Sequence, residues 1–237
     1  MTVGSVLREA WSLYTRFFVR FFLLAALVFL ITNLASAVLF EIVGTDTTVA
    51  AALVSLVATV VVVVGTYWLQ GALVFAVQDV QDGSFDASND EILHKVKPFL
   101  GTLVLSGILA GLGIAVGIVL LVVPGLVLLT WWALISPIIV LEGKKVGAAF
   151  GRSRELVRGH GWTVFGVVVL AALLSLVATV LLSGLLSFLP PFLEQWLGGT
   201  LAGAVVAPFT AIAVTLMYFQ LAGRTSAGAP TGAAESG

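Results

Sequence analysis

The sequence predicts an all-α integral membrane protein, a bundle of six transmembrane helices with three amphipathic helices on its cytoplasmic side. Three observations predict it. Of 237 residues, 60% are hydrophobic and only 10% are charged, against about 25% charged in soluble domains. Uncharged apolar runs recur along the whole chain, each long enough to cross a hydrocarbon core of about 30 Å. The Lys and Arg residues fall only before the first run and after the second, fourth and sixth. The same composition excludes other classes. A net charge of -1 supplies no basic field for nucleic acid, and the absence of cysteine removes disulfides, thiolate chemistry and Cys-bound metals.

The elements follow in order. "SVLREAWSLYTRFF" sets Val6, Leu7, Ala10, Trp11, Leu13 and Tyr14 at helical spacing among Arg8, Glu9, Ser12, Thr15 and Arg16, which predicts an interfacial amphipathic helix over 4–18. The first apolar run begins near Phe21 and carries no A-x-A cleavage site, so 21–40 reads as an uncleaved first span rather than a signal peptide. The second span is 49–77. From Phe99 to Leu141 there is no charge, and so long a helix would measure about 65 Å, roughly twice the bilayer core. The run must therefore turn back. "VPG" at Val123–Gly125 is where it is expected to do so, because Pro124 lacks a donor and Gly125 tolerates unusual dihedrals. This gives spans 99–122 and 125–141. Pro137 inside the fourth span is expected to free a carbonyl one turn earlier and bend the helix. Spans 162–186 and 198–221 complete a single membrane domain, 1–224. "TSAGAPTGAAESG", 225–237, reads as a disordered tail.

Charge sets the orientation. With six spans, Arg8, Arg16, Arg20, Lys95, Lys97, Lys144, Lys145, Arg152, Arg154, Arg158 and Arg224 all lie on one side, and the opposite loops carry only Glu41, Asp46 and Glu194. The positive-inside rule then places both termini in the cytoplasm, with the chain in the cell membrane. "DEILHKVKPF" and "GAAFGRSRELVRGHGW" each precede a span and resemble the N-terminal amphipathic segment. A shift of about 63 residues lays Trp68 on Trp131, Asp79 on Glu142, Leu93 on Leu156, Lys95 on Arg158 and Phe99 on Trp162. Three repeats of amphipathic helix, span, turn and span would account for this. A chance likeness of apolar composition is the competing reading.

"VPGLVLLTWWALISPIIVLEGKKVGAAFGRSRELVRGHGWTVF", Val123–Phe165, resembles the membrane-domain family named after bacterial glycerophosphoryl diester phosphodiesterases. The likeness rests on Pro124 and Gly125, Trp131, Pro137, Glu142 and Gly143, then Ala149, Ser153, Leu156, Gly159 and Trp162. "MYFQL" at Met217–Leu221 is similar to that family's last span. The resemblance implies a multi-pass helical domain. In some relatives this domain precedes a soluble catalytic barrel, which this sequence lacks after Arg224, so the family's enzymatic name does not carry over.

Candidate sites follow from the same residues. Phosphodiester hydrolysis would need converging metal ligands or a histidine acid/base pair. The two histidines, His94 and His160, fall in different amphipathic segments with no ligand spacing between them, which points to interfacial roles, no catalytic residues, no metal and no cofactor. Glu142 and Asp79 end the fourth and second spans. Either pairs with Arg152, Arg154 or Arg158 to lock the amphipathic helix beneath the bundle, or is a solvated helix end. Glu142 in particular needs compensation at a helix C-terminus. Lys144, Lys145, Arg152, Arg154 and Arg158 are the candidate contacts for anionic lipid headgroups. Within the spans only Asn33, Gln70, Gln220 and scattered Ser and Thr are polar, an argument against an ion-coupled pump. Gly107 and Gly111 form a small-xxx-small pair suited to helix packing, and Trp131, Trp132, Trp162 and Trp196 read as interface anchors or packing aromatics.

These features predict a non-enzymatic membrane scaffold or lipid-associated module, with membrane lipids and a membrane protein as partners and no nucleic acid. The alternative is a transporter or channel for a small or amphipathic substrate, and an intramembrane hydrolase is third. A scaffold implies a packed interior. A transporter implies a cavity lined by Asn33, Gln70, Gln220 or similar groups.

Overall fold

The computed structural model describes residues 2–43, 48–80, 87–189 and 191–227. Among them the regular elements are helices: α1 Val3–Arg16, α2 Phe18–Val43, α3 Thr48–Asp79, α4 Asn89–Val96, α5 Leu100–Leu120, α6 Val122–Trp131, α7 Ile135–Glu142, α8 Val146–Val157, α9 Gly161–Leu186 and α10 Pro191–Ala227. A single 3-10 turn, Lys97–Phe99, joins α4 to α5. Among the described residues six segments are long and apolar enough to cross a membrane: Phe18–Ser36, Thr48–Asp79, Asn89–Leu120, Val122–Glu142, Gly161–Leu186 and Trp196–Gly223. Their outer surface is apolar, with Val49, Val119, Leu120, Leu181 and Leu185 all exposed, a surface that water does not tolerate at this extent.

The short helices α1 and α8 precede the first and fifth of these segments, and α4 forms the start of the third. α1 is closed at its start by a capping box, in which the Ser5 N–H donates to Thr2 Oγ1 at 3.3 Å and the Thr2 N–H to Ser5 Oγ at 3.2 Å. Val6, Ala10 and Tyr14, four residues apart, form its buried stripe. That stripe lies against α10, where Tyr14 meets the Phe209 ring edge-on and its hydroxyl donates to the Val205 carbonyl at 2.8 Å. Pro208, inside α10, cannot serve the carbonyl of Ala204, the residue next to this acceptor. Burial pushes the Tyr14 phenol up to about 12. α4 is capped by Ser88, buries Ile92 and Val96, and is held to α3 by Trp68, whose indole N–H donates to the Leu93 carbonyl at 3.0 Å.

α2 with α3, α5 with α6 and α9 with α10 are packed neighbours, and α10 also packs on α1, α2 and α3. It is the most buried of the six apolar segments. Several expected boundaries move. The N-terminal helix ends at Arg16 rather than 18. α10 begins at Pro191 and continues to Ala227, three residues into the expected tail. Residues 228–237 and Asp46 lie outside the described residues, as do the side chains of Glu41, Glu194 and Arg224.

The turn between the third and fourth segments is not at Pro124–Gly125. The chain breaks at Leu121, the one extended residue there (φ -160°, ψ 132°), and α6 starts at Val122. Pro124 sits in the first turn of α6, where its missing donor costs nothing. Gly125 is there for space rather than for dihedral freedom. A Cβ on Gly125 would lie 2.7 Å from the Ile118 backbone nitrogen, and one on Gly117 would lie 2.9 Å from the Gly125 Cα. The two glycines let α5 and α6 touch backbone to backbone. Of the expected small-residue pair, Gly107 accommodates Tyr67, while a Cβ on Gly111 would meet nothing within 4 Å; Gly113, under Trp132, is the second crowded position.

Gly125→Val is therefore expected to destabilise the hairpin by about 1–3 kcal/mol, the usual cost of overpacking, and to lower the melting temperature in detergent. Gly111→Val should leave it nearly unchanged. Equal melting of the two variants would contradict this account of the turn.

Candidate functional site

The fourth apolar segment is not one bent helix. It is broken at Trp132–Leu134 into α6 and α7. Pro137 cannot donate to the carbonyl of Ala133 and its ring blocks continuation of the ladder, so it sits in the first turn of a new helix instead of bending an old one. The break frees backbone groups, and one side chain serves two of them. Ser153 of α8 donates to the Trp131 carbonyl at 2.6 Å and accepts from the Leu134 N–H at 3.3 Å. It is 0% exposed, between Ala149 and Leu156 on the buried face of α8.

α8 reaches the break through Gly143, whose φ of 64° is a left-handed helix ending that disfavours any side chain. Just before it, Glu142 stands at the C-terminus of α7, where the helix dipole opposes a negative charge. Three donors compensate: Arg152 Nε at 3.3 Å, Lys144 Nζ at 3.6 Å and the Tyr218 hydroxyl of α10 at 3.1 Å. The Glu142 and Arg152 side chains are 19% and 22% exposed, a partly buried pair. Arg152 also donates to Glu155 at 3.1 Å. Burial lowers its pKa, but the hydrogen bonds to Glu155 and Glu142 outweigh this and the net direction is up.

The expected partner set for Glu142 is thus narrowed to Arg152, joined by Lys144. Arg154 lies over the Trp131 ring at 4.3 Å instead, a cation–π contact. Arg158 ends α8 and is exposed, as is Lys145. Asp79 accepts from the Ala87 N–H at 3.1 Å and ties down the segment before α4. Sequence reasoning did not single out Tyr218 or the bridging role of Ser153, since a serine on a buried face and a tyrosine in an apolar run carry no local signal.

Two spaces adjoin these elements. An apolar groove of about 590 Å³ lies between α6 and the start of α9, with Val127, Thr130, Trp131, His160, Trp162 and Phe165 on its walls. Its Trp131 wall carries Arg154, and Trp162 is 86% exposed. A second space, also about 590 Å³, is a half-open hollow among α2, α3, α5, α6, α7, α9 and α10, with the exposed Ala172, Thr179 and Gly199 at its edge. Gln70, Ala133, Ser136 and Thr215 are among its lining residues, and the Ser136 hydroxyl donates to Gln70 Oε1 at 3.0 Å. Asn33 and Gln220 do not line it: Asn33 donates to Thr200 at 2.9 Å and Gln220 to Glu9 at 2.9 Å. His94 lies 3.8 Å from Asp90 on α4, and His160 begins α9. Among the described residues no three His, Asp or Glu side chains gather to hold a metal ion.

Fold and site together define an all-helical protein with six helices of membrane-crossing length, the fourth broken and bridged by a short basic helix. The chain belongs to the family described as "Domain of unknown function (DUF7847)", whose family model matches residues 92–225, from α4 to the end of α10. No curated protein and no solved structure is matched. The matched residues contain Val123–Phe165, and the family description names no activity.

Ser153→Ala should cost about 1–3 kcal/mol for each backbone group it orphans, read as a lower melting temperature in detergent. Thr59→Ala removes a hydroxyl that only bonds back to the Ser55 carbonyl on an exposed face, and should shift it far less. A Ser153→Ala protein as stable as Thr59→Ala would remove the bridge from the account.

Proposed function

We propose that this chain is a non-enzymatic, multi-pass protein of the cell membrane, a lipid-associated module whose basic end holds anionic headgroups on the cytoplasmic side. The observation that carries this reading is the apolar groove between α6 and the start of α9. Its walls suit an acyl chain, and Arg154, stacked on the Trp131 wall, brings a cation to it. Arg152 and Lys144 are engaged by Glu142, so Lys145, Arg154 and Arg158 are the cations that face outward for headgroups, each contributing about 1 kcal/mol near an anionic surface. Both termini lie on the cytoplasmic side in this reading, because every Lys and Arg falls on the α1, α4 and α8 side of the six segments.

The three-repeat organisation belongs to the same reading. Trp68 and Trp131, 63 residues apart, are both tied to the short helix that follows them, Trp68 through Leu93 and Trp131 through Ser153 and Arg154. The motif shared with glycerophosphoryl diester phosphodiesterase membrane domains supports a relation to them at the level of the membrane domain, without hydrolysis. A second reading, transport of a small or amphipathic substrate, is favoured by the half-open hollow among α3, α7 and α10, which a packed scaffold would not keep.

Native mass spectrometry from nanodiscs tests the first reading. Phosphatidylglycerol should be retained over phosphatidylcholine, and Arg154→Ala with Arg158→Ala should cut retention about tenfold or more. Indifference to headgroup charge would reject it. Orientation is checked separately, since the chain has no native cysteine. Cysteines at exposed Gly147 and Phe188 should react with a membrane-impermeant maleimide from opposite sides, Gly147→Cys from the cytoplasmic one.

A further inference from the structure

The half-open hollow among α3, α7 and α10 has a chemistry of its own. Its lining is dominated by small and apolar side chains such as Ala110, Ala171 and Val206. No Asp, Glu, Lys, Arg or His is among the lining residues. Its hydrogen-bonding groups are uncharged, and three are unserved among the described residues. Gln70 uses its carbonyl oxygen for Ser136 and leaves its amide N–H groups without an acceptor. Thr215 is 0% exposed and its hydroxyl has no partner, unlike Thr210, which bonds back to the Val206 carbonyl. Ala133 lines the space, and its carbonyl is the one that Pro137 cannot serve.

Buried polar groups without partners are costly and are rare in native interiors. Two donors and an acceptor around an apolar hollow of drug-ligand size are complementary to a molecule that both accepts and donates on a hydrocarbon body. A charged head would enter without a counterion and lose its hydration, which is prohibitive in such a medium. Water alone would leave the large apolar share of the walls unmatched.

We infer that this space is a binding site for a neutral, hydroxyl-bearing lipid, whose hydroxyl is held by Gln70, Thr215 and the Ala133 carbonyl while its chain lies among the α5, α9 and α10 walls. The inference rests on the space named in the transport reading but not on transport, because a resident lipid and a cargo would bind alike. It is also separate from the headgroup groove, with which it shares none of these groups.

The test uses the full chain in nanodiscs and a diazirine-bearing long-chain alcohol, with peptide mapping of the labelled residues. With the diazirine on the chain, labelling should fall on the α5, α9 and α10 lining peptides and be displaced by hexadecanol but not by hexadecanoate or hexadecyltrimethylammonium. Thr215→Val and Gln70→Leu should each weaken the hexadecanol competition about tenfold, the value of one lost hydrogen bond with its orphaned partner. Thr215→Ser should retain it, and Ala207→Phe, which fills the space, should abolish the lining labels. Labels confined to outward-facing residues, equal competition by the charged analogues, or equal loss in Thr215→Ser and Thr215→Val would each overturn the site. Vesicle flux of the same alcohol reads passage separately, so absence of flux with intact binding rejects transport and leaves the site standing.

Discussion

The Ser153 hydroxyl, shared between the Trp131 carbonyl and the Leu134 N–H, is the contact on which the rest of the site depends. The fourth segment divides between α6 and α7, and in apolar surroundings there is no water to satisfy the Trp131 carbonyl and the Leu134 N–H at the break. A side chain must come from elsewhere, and α8 brings it. Once α8 is pinned there, Arg152 is delivered to Glu142 and Arg154 to the Trp131 face. The neighbouring Ala133, Ser136 and Pro137 are left on the wall of the half-open hollow. One backbone defect thereby fixes the basic helix and both spaces beside it.

The same logic recurs at the other end of the chain. Pro208 interrupts the ladder of α10, and the nearby Val205 carbonyl is met by Tyr14 from α1. In both cases a proline in a long apolar segment is paired with a polar side chain on a short amphipathic helix. α4 shows the converse arrangement, in which the long helix supplies the donor, Trp68, and the short helix the carbonyl of Leu93. The short helices are thus joined to the bundle by directed hydrogen bonds as well as by their apolar stripes. Such bonds fix a rotation about the helix axis that apolar contact alone leaves loose.

The helical class and the count of six apolar segments were legible because both follow from composition and run length, which local sequence states directly. The break at Pro137 was half legible. A proline announces a carbonyl that it cannot serve, but whether the helix bends or divides depends on what meets the backbone groups around it, and Ser153, which meets those of Trp131 and Leu134, arrives from sixteen residues further along. The Pro124–Gly125 turn was misplaced for a related reason. Proline is as acceptable in the first turn of a new helix as at an apex, and the deciding fact is the close approach of Gly117 to Gly125 across the hairpin. The need for a partner at Glu142 could be argued from the dipole. The choice of Arg152 over Arg154 and Arg158 is a matter of which face of α8 Ser153 turns inward.

Charge is partitioned in a way that constrains what each space can hold. Glu142, Lys144, Arg152 and Arg154 lie at the C-terminal end of α7 and along α8, while the hollow beside the break is lined only by uncharged side chains. An anion at the basic end replaces water with guanidinium contacts and gains from the exchange. The same anion carried past the break would give up those contacts for amide and hydroxyl dipoles in a medium of low dielectric, a transfer that costs several kcal/mol even after relaxation. A neutral hydroxyl faces the reverse balance, with little to gain from Arg154 and Arg158 in competition with water and much from unserved groups in an apolar hollow. The broken segment therefore stands between a basic end and an uncharged, largely apolar lining, and Ser153 is the side chain that bridges its break.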